Sequence, residues 1–532
     1  MIERFAIGVL CVLAMCAQAA HAGQTTNDGP LVGLDDLRAR IGPRALPTGL
    51  GVVAGQVEFP DAQDDYAPNE NLDEFAGKTI LEMSGPSQTS GHANHVGRNF
   101  YGLTISIAPD ITDILVWEVN HWIDPGFLHA NTPLPPDPMP GGIKILNHSW
   151  VATFGFASQN NNALRRLDYV TTRDDVIVTV GVNNDEPNDM TDGQNVALLS
   201  HLFNGIAVGV MDGTHVTADT LIGIDAPGRM KPEILAPGSK VSWAIPVVAA
   251  GASLMIETAS TVPDLAGNPN AQRSEVIKAL LLAGANHRTG WTNNPTGSGP
   301  DRGVTARPLD IVYGADLLDV NTGHLILTGG EHDGSATPPS AISAAQAGWD
   351  LVNVGAGESR YWRLAACTLA PEVSVVATWH RQVESPFGNA DWSLANFDLV
   401  LWRVDEKQQL VTLVGDPGLP FFADGNVVSQ SAVDNIEHLF IRDLEAGEYV
   451  LELRRVDAGN VDWDAAVAWH MPASMILGDL DGDCMVGITD FLALLAAWGP
   501  CPDPCPPGCA ADLDGDCEVG ITDFLALLSN WT

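Results

Sequence analysis

The sequence predicts a multidomain chain: an α/β domain on a mostly parallel sheet, then an antiparallel β-sandwich, then a small all-α module of two loop–helix units. Three observations predict it. From about residue 46 to 330, apolar β-branched runs alternate with Gly-rich turns and helical patterns, the order that builds a parallel sheet with helices on both faces. Beyond a Pro/Ser/Ala stretch the apolar period falls to two, as in a half-buried antiparallel sheet. The C-terminus repeats itself: GDLDGDCMVGITDFLALLAAWG from Gly478 returns as ADLDGDCEVGITDFLALLSNWT from Ala511.

Length and charge bound the rest. A chain of 532 residues exceeds one ordinary core, and two to four domains are expected. Lys and Arg number 26 against 66 Asp and Glu, a net charge of −40. Phosphate binding needs a basic face, so nucleic acid is excluded as an expected partner. Acidic excess suits divalent cations and solubility. At the N-terminus, Arg4 precedes a short apolar run from Phe5 to Met15 and the small-x-small site Ala20-His21-Ala22. This reads as a signal peptide, residues 1–22, and the chain is expected to be secreted. Cys11 and Cys16 leave with it, and six cysteines remain where pairing is allowed. No later segment has 18 uninterrupted apolar residues, so no membrane span is expected.

The elements follow in order. A polar lead covers 23–45. Strands are expected at Val52–Glu58, Ile143–Leu146, Asp175–Val182 and Gly205–Val210; helices are expected after His92, after Ser242 and over Ser274–Ala283. SATPPSAISAA marks a linker within 331–345. From 346 to 472, YWRLAAC, VSVVATWHR, FDLVLWRV, HLFIRDL and YVLELRRV alternate between polar turns. Trp362, Trp379 and Trp402 lie on strand faces with apolar neighbours and are read as core, with a carbohydrate-binding platform as the alternative. The Asp398-Leu399 strand and the Ala446–Tyr449 turn give this region a resemblance to the pre-peptidase C-terminal type of β-sandwich.

The terminal repeat carries the strongest site signal. Asp479, Asp481, Asp483 and Asp490 take positions 1, 3, 5 and 12 of a loop, and Asp512, Asp514, Asp516 and Asp523 take them again. A hard divalent cation wants six to eight oxygens, which alternating carboxylates in a tight loop supply. Met485 and Glu518 would add the backbone carbonyl at position 7. After the first loop, Phe491, Leu492, Leu494, Leu495 and Trp498 make an apolar face at helical spacing, and the second copy repeats it. The expected ion is Ca2+ at both loops. Residues 477–532 resemble the dockerin module, a pair of EF-hand-like calcium loop–helix units. That resemblance implies attachment to a cohesin-like receptor on a scaffold or cell surface. Two departures stand out: position 6, normally Gly, is Cys484 and Cys517, and position 12 is Asp rather than Glu. Disulfides would partly replace the glycine turn, with Cys501, Cys505, Cys509 or Cys367 as partners.

The stretch GHANHVGRNFYG sets His92 and His95 three residues apart. They could ligate a metal, lie on the surface, or pair one base with a neighbour. Other stretches decide the matter. GVVAGQVE ends at Glu58, VIVTVGVNND carries Asn183, and KPEILAPGSKVSWAIPVVAAG carries Ser242. In this order they resemble the subtilisin-like serine peptidases over about 46–330. The resemblance implies acyl transfer from a polypeptide substrate: Ser242 as nucleophile, His92 as base, Glu58 as the acid that orients it, Asn183 as oxyanion donor and His95 as a structural neighbour. The departures are Glu58 for the family Asp, Lys240-Val241 for Gly-Thr and Val247 for His. Asp61, Asp64 or Asp65 could stand in for Glu58, and Ser239 competes with Ser242. The alternative function is an inactive scaffold used for binding or surface assembly.

Overall fold

The computed structural model describes residues 28–154, 156–184, 198–219, 223–384, 387, 391–415, 421–472, 476–482, 484–502 and 509–532. The expected signal peptide, Asp483 and Cys505 lie outside the described residues.

Seven strands form one sheet: β1 (Val53–Glu58), β2 (Thr79–Glu82), β3 (Asp113–Glu118), β4 (Ile145–His148), β5 (Ile177–Gly181), β6 (Ile206–Val210) and β7 (Ile234–Ala236). Their order is β2-β3-β1-β4-β5-β6-β7, and every pairing is parallel. Alternation along each strand feeds two cores. In β3, Ile114 and Val116 enter one core while Leu115 and Trp117 enter the other. The first core holds the helices α4 (Val241–Thr261) and α5 (Ser274–Ala283); the second holds α3 (Ala157–Asp174). Two further helices, α1 (Leu34–Ile41) and α2 (Gly91–Tyr101), pack into the first core through Leu37, Phe100 and Tyr101. α4 is long and apolar enough to cross a membrane by composition, but 89% of its apolar window is buried inside the fold.

Beyond α6 (Val320–Thr328) come seven long strands: β8 (Ala347–Val354), β9 (Ser359–Ala366), β10 (Ala370–Thr378), β11 (Phe397–Val404), β12 (Ile436–Leu444), β13 (Gly447–Arg455) and β14 (Trp463–His470). They make two antiparallel layers, one of β11-β13-β9 and one of β8-β14-β10-β12. Side chains of both layers share one core. Trp362 and Trp379 are fully buried in it, so they form no exposed platform, and Trp402 donates to Glu452 at 2.8 Å.

The two regions are fused rather than strung together. Trp349, Val376, Ile436, Ala466 and Ala468 of the second region belong to the first core. Val304–Thr305 pairs with Val428–Ser429, and Ser335, inside the Pro-rich stretch, exchanges backbone hydrogen bonds with Tyr361 at 2.9 and 3.0 Å. At the seam, the fully buried Arg381 sets Nε 2.7 Å from Asp168 Oδ2 on α3 and Nη1 2.7 Å from Asp225. Removing one partner leaves an uncompensated buried charge. Arg381→Ala is therefore expected to destabilise the chain by about 3–5 kcal/mol, read as a lowered denaturation midpoint, with both regions melting together.

The C-terminal repeat folds as two loop–helix units carrying α7 (Ile488–Ala496) and α8 (Ile521–Ser529). Equivalent residues of the copies meet: Val486 with Val519 and Leu494 with Leu527 in one small core, and Phe491 on Phe524 at 5.4 Å. The apolar face expected on each helix is thus divided. Leu494 is buried, whereas Leu492, Leu495 and Trp498 are exposed.

Candidate active site

The carboxyl edge of an open parallel sheet is where ligands gather. Here Glu58 ends β1, level with Glu118 at the end of β3. Its side chain is wholly buried, and Oε2 lies 2.7 Å from Nδ1 of His92 in the first turn of α2. Ser90 caps that helix, its hydroxyl accepting from Ala93 N at 3.3 Å. Behind Glu58 runs a buried chain. Gln56 Nε2 donates to Glu58 Oε1 at 2.8 Å, and Tyr101 OH donates to Gln56 Oε1 at 2.5 Å. Gln56 and Tyr101 were not among the expected site residues. Gln56 stands two positions before Glu58, a polar side chain on the same strand face inside an apolar run, and that is the signal that finds it.

His92 sits under opposing influences. Burial, the largest, pulls its pKa down, but the Glu58 charge and hydrogen bond outweigh it together; Lys240 opposes them, and the net direction is upward. With Nδ1–H committed to Glu58, Nε2 is the nitrogen left to accept a proton. Asp61 instead caps its own turn through Gln63 N and Asp65 N, and Asp65 accepts from Gln88 N. Among the described residues no Asp joins His92; the carboxylate there is Glu58.

Ser242 is the second residue of α4 and half-buried. Its Oγ donates to Ser149 O at 3.4 Å, and no hydrogen bond joins it to His92. The neighbourhood is nonetheless shared. Trp243, next in sequence, lies 5.1 Å from the His92 ring and 5.0 Å from His95, and its carbonyl accepts from Asn99 on α2 at 3.2 Å. His95 is exposed, bonded to Gly91 O and tilted against the Trp243 ring. It belongs to no metal cluster among the described residues. Asn184 Oδ1 accepts from Val241 N at 2.6 Å, bringing the Asn183–Asn184 turn to the start of α4, one residue before Ser242; Asn183 Oδ1 accepts from Asn184 N at 2.8 Å. Ser239 is exposed and precedes the helix. The motif KPEILAPG serves the fold: Lys231 and Lys278 both reach the buried Glu233 Oε1, at 2.6 and 3.0 Å.

The acidic loops form two further clusters. Ligand atoms of Asp479, Asp481 and Asp490 lie within 4.8 Å of one another, as do those of Asp512, Asp514 and Asp516. All these donors are hard oxygens, and either cluster could hold a divalent cation. Asp523 binds the backbone of its own loop, Oδ1 accepting from Leu513 N and Oδ2 from Gly520 N. Glu518 N donates to Asp516 Oδ1, and Met485 exposes its side chain, consistent with a backbone role at position 7. At position 6, Cys484 and Cys517 have φ of 65° and 70°, the left-handed region where glycine is usual. Cys484 is bonded to Cys367 in the strand region, Cys501 to Cys509, and Cys517 is also disulfide-bonded.

No family model and no curated protein matches the chain. Among solved structures it is similar to subtilisin-like proteases over about half its length. The prenylagaramide maturation protease PagA is 17% identical, with 56% of this chain and 99% of that one covered at a TM-score of 0.36. A cold-adapted subtilisin-like serine proteinase is 17% identical, with 46% and 86% covered at 0.29. The epidermin leader peptide processing serine protease EpiP from Staphylococcus aureus is 13% identical, with 57% and 80% covered at 0.37.

Proposed function

We propose that the chain is a secreted serine endopeptidase of subtilisin type, with Glu58, His92 and Ser242 as its triad. The observation that carries this reading is the 2.7 Å bond from buried Glu58 to His92 Nδ1, near the first turn of α4, which holds Ser242. A buried carboxylate on Nδ1 fixes the tautomer and stabilises the imidazolium that forms when Nε2 takes a proton. In the acylation step Ser242 exchanges its long bond to Ser149 O for one to His92 Nε2. Catalytic hydrogen bonds often tighten only when substrate is bound. Oγ then attacks the scissile carbonyl, Asn183 donates to the oxyanion, and His92 returns the proton to the leaving amine. The inactive-scaffold reading is favoured by one observation, the Ser242–Ser149 bond in place of a Ser242–His92 bond. A fluorophosphonate probe separates the two. Labelling that disappears in Ser242→Ala is expected; no labelling of the folded chain would establish the scaffold.

The C-terminal units support a second role, calcium-dependent attachment through a dockerin-like module to a cohesin-like receptor. Each copy exposes the same apolar positions: Ile488 and Ile521 at 60 and 61%, Leu492 and Leu525 at 57 and 56%. Exposed apolar patches of this kind mark protein–protein contacts.

A further inference from the structure

A cavity of about 410 Å³ opens at the carboxyl end of β1, where Phe59 lines it. Two of its walls continue directly from residues already placed. Phe59 follows Glu58 at the end of β1, and Phe154 lies five residues beyond Ser149, whose carbonyl holds Ser242. Ile123 adds a third apolar wall; Asn120 and Asn131 stand exposed at the rim. Among the lining residues Asp124 is the only one that carries a charge.

Asp124 has unmet hydrogen-bonding capacity. Its Oδ2 accepts from Asn131 Nδ2 at 3.2 Å, but its Oδ1 is buried with no hydrogen-bond partner. Arg166, whose charge feels Asp124, spends its guanidinium elsewhere, on the carbonyls of Leu128, Thr132 and Leu134 and on Asn162 Oδ1. No ion pair to Asp124 forms among the described residues. A buried carboxylate oxygen without a partner is costly, and Asp124 as a whole is only half-buried at the cavity wall.

We propose that this cavity is the specificity pocket for a cationic side chain, Arg or Lys, of the polypeptide substrate, with Asp124 as its acceptor. The proposal rests on the peptidase reading. Both side chains pair an apolar stem with a cationic head. Phe59, Ile123 and Phe154 cover the stem, and Asp124 receives the head. An acidic chain of net charge −40 also draws basic peptides toward it. A neutral side chain such as Gln can donate a hydrogen bond but gains nothing from the Asp124 charge, so the pocket discriminates by charge rather than by volume.

The test uses the mature chain with calcium and two quenched fluorescent peptides that differ at one position, Arg against Gln, chosen by scanning that substitution along the peptide. Cleavage of the Arg peptide is expected to exceed that of the Gln peptide by roughly 30-fold or more at one position, and the ratio is expected to collapse toward one in Asp124→Asn. Equal cleavage of the two at every position overturns the proposal, as does a ratio that survives in Asp124→Asn. A parallel titration of the Ser242→Ala chain with both peptides, followed by fluorescence anisotropy, needs neither turnover nor the Asp124 variant. Tighter binding of the Arg peptide without hydrolysis by the parent chain sustains the pocket and removes the peptidase; equal binding removes the pocket, whatever the activity.

Discussion

Glu58→Gln is expected to lower kcat/KM for peptide hydrolysis by about 10⁴-fold, the scale on which the neutral amide spoils an acid–histidine pair. The amide fills the same space, so the fold stands. What changes is the hydrogen-bond logic at Nδ1. A carboxylate can only accept, so it selects the tautomer with the proton on Nδ1. An amide can present N–H instead, which turns the ring's lone pair toward Glu58's position and puts the proton on Nε2, where a base is needed. The pH profile provides an independent reading. Hydrolysis needs neutral His92, so the acid limb follows its pKa, and Glu58 holds that pKa above the ordinary histidine value against the pull of burial. Activity in the parent chain is thus expected to rise with pH through a midpoint above about 6.5. In Glu58→Gln the opposing burial and the Lys240 charge are left unanswered, so the residual activity should rise at lower pH. An unchanged acid limb, measured with the fluorescent peptide, would show that Glu58 does not set the state of His92.

The pairing at that site was legible because its parts sit at strand and helix ends that the sequence marks plainly. Glu58 closes an apolar run, and His92 opens a helix among small residues. Other features left weaker traces. β2 and β7 span four and three residues, too few to display a period. β3 is buried on both faces, which erases alternation. α3 carries its apolar stripe at Ala163, Leu164, Leu167 and Val170, but Arg166 and Asp168 lie buried among them. Asp168 is satisfied by Arg381, 213 residues away, and no local pattern reveals such a partner. The Pro-rich stretch has linker composition, and only the folded chain shows Ser335 paired with Tyr361. Ser242 illustrates a different limit. Its position follows from the motif, whereas its bond to Ser149 O joins residues 93 apart and leaves no local trace.

Removing calcium is expected to melt the C-terminal units before the rest of the chain. The physical reason is charge. Three carboxylates in each loop place ligand atoms within 4.8 Å of one another, and without a cation they repel. A folded loop that binds calcium while the unfolded segment does not is stabilised by about 2.7 kcal/mol at a free ion concentration of 100 times Kd, and two loops double it. Magnesium should replace calcium poorly, because it demands near-ideal octahedral geometry and sheds water reluctantly. The sharp turn at position 6 adds to the dependence, since Cys484 and Cys517 occupy a backbone region that costs a side-chain-bearing residue roughly 1–2 kcal/mol. Trp498 and Trp531 are exposed at the helix ends and report locally. Melting curves with calcium and with chelator should therefore separate a labile transition, absent when calcium is present, from the transition of the fused regions. Asp479→Asn combined with Asp512→Asn should reproduce the chelator curve in calcium. Disulfide Cys367–Cys484 keeps the first loop against the strand region in either condition, so the labile transition is expected to spread from the second loop. Proteolysis under chelator should then cut near α8 before α7. Cleavage in the reverse order would mean that the Cys367–Cys484 tether does not hold the first loop once calcium is gone.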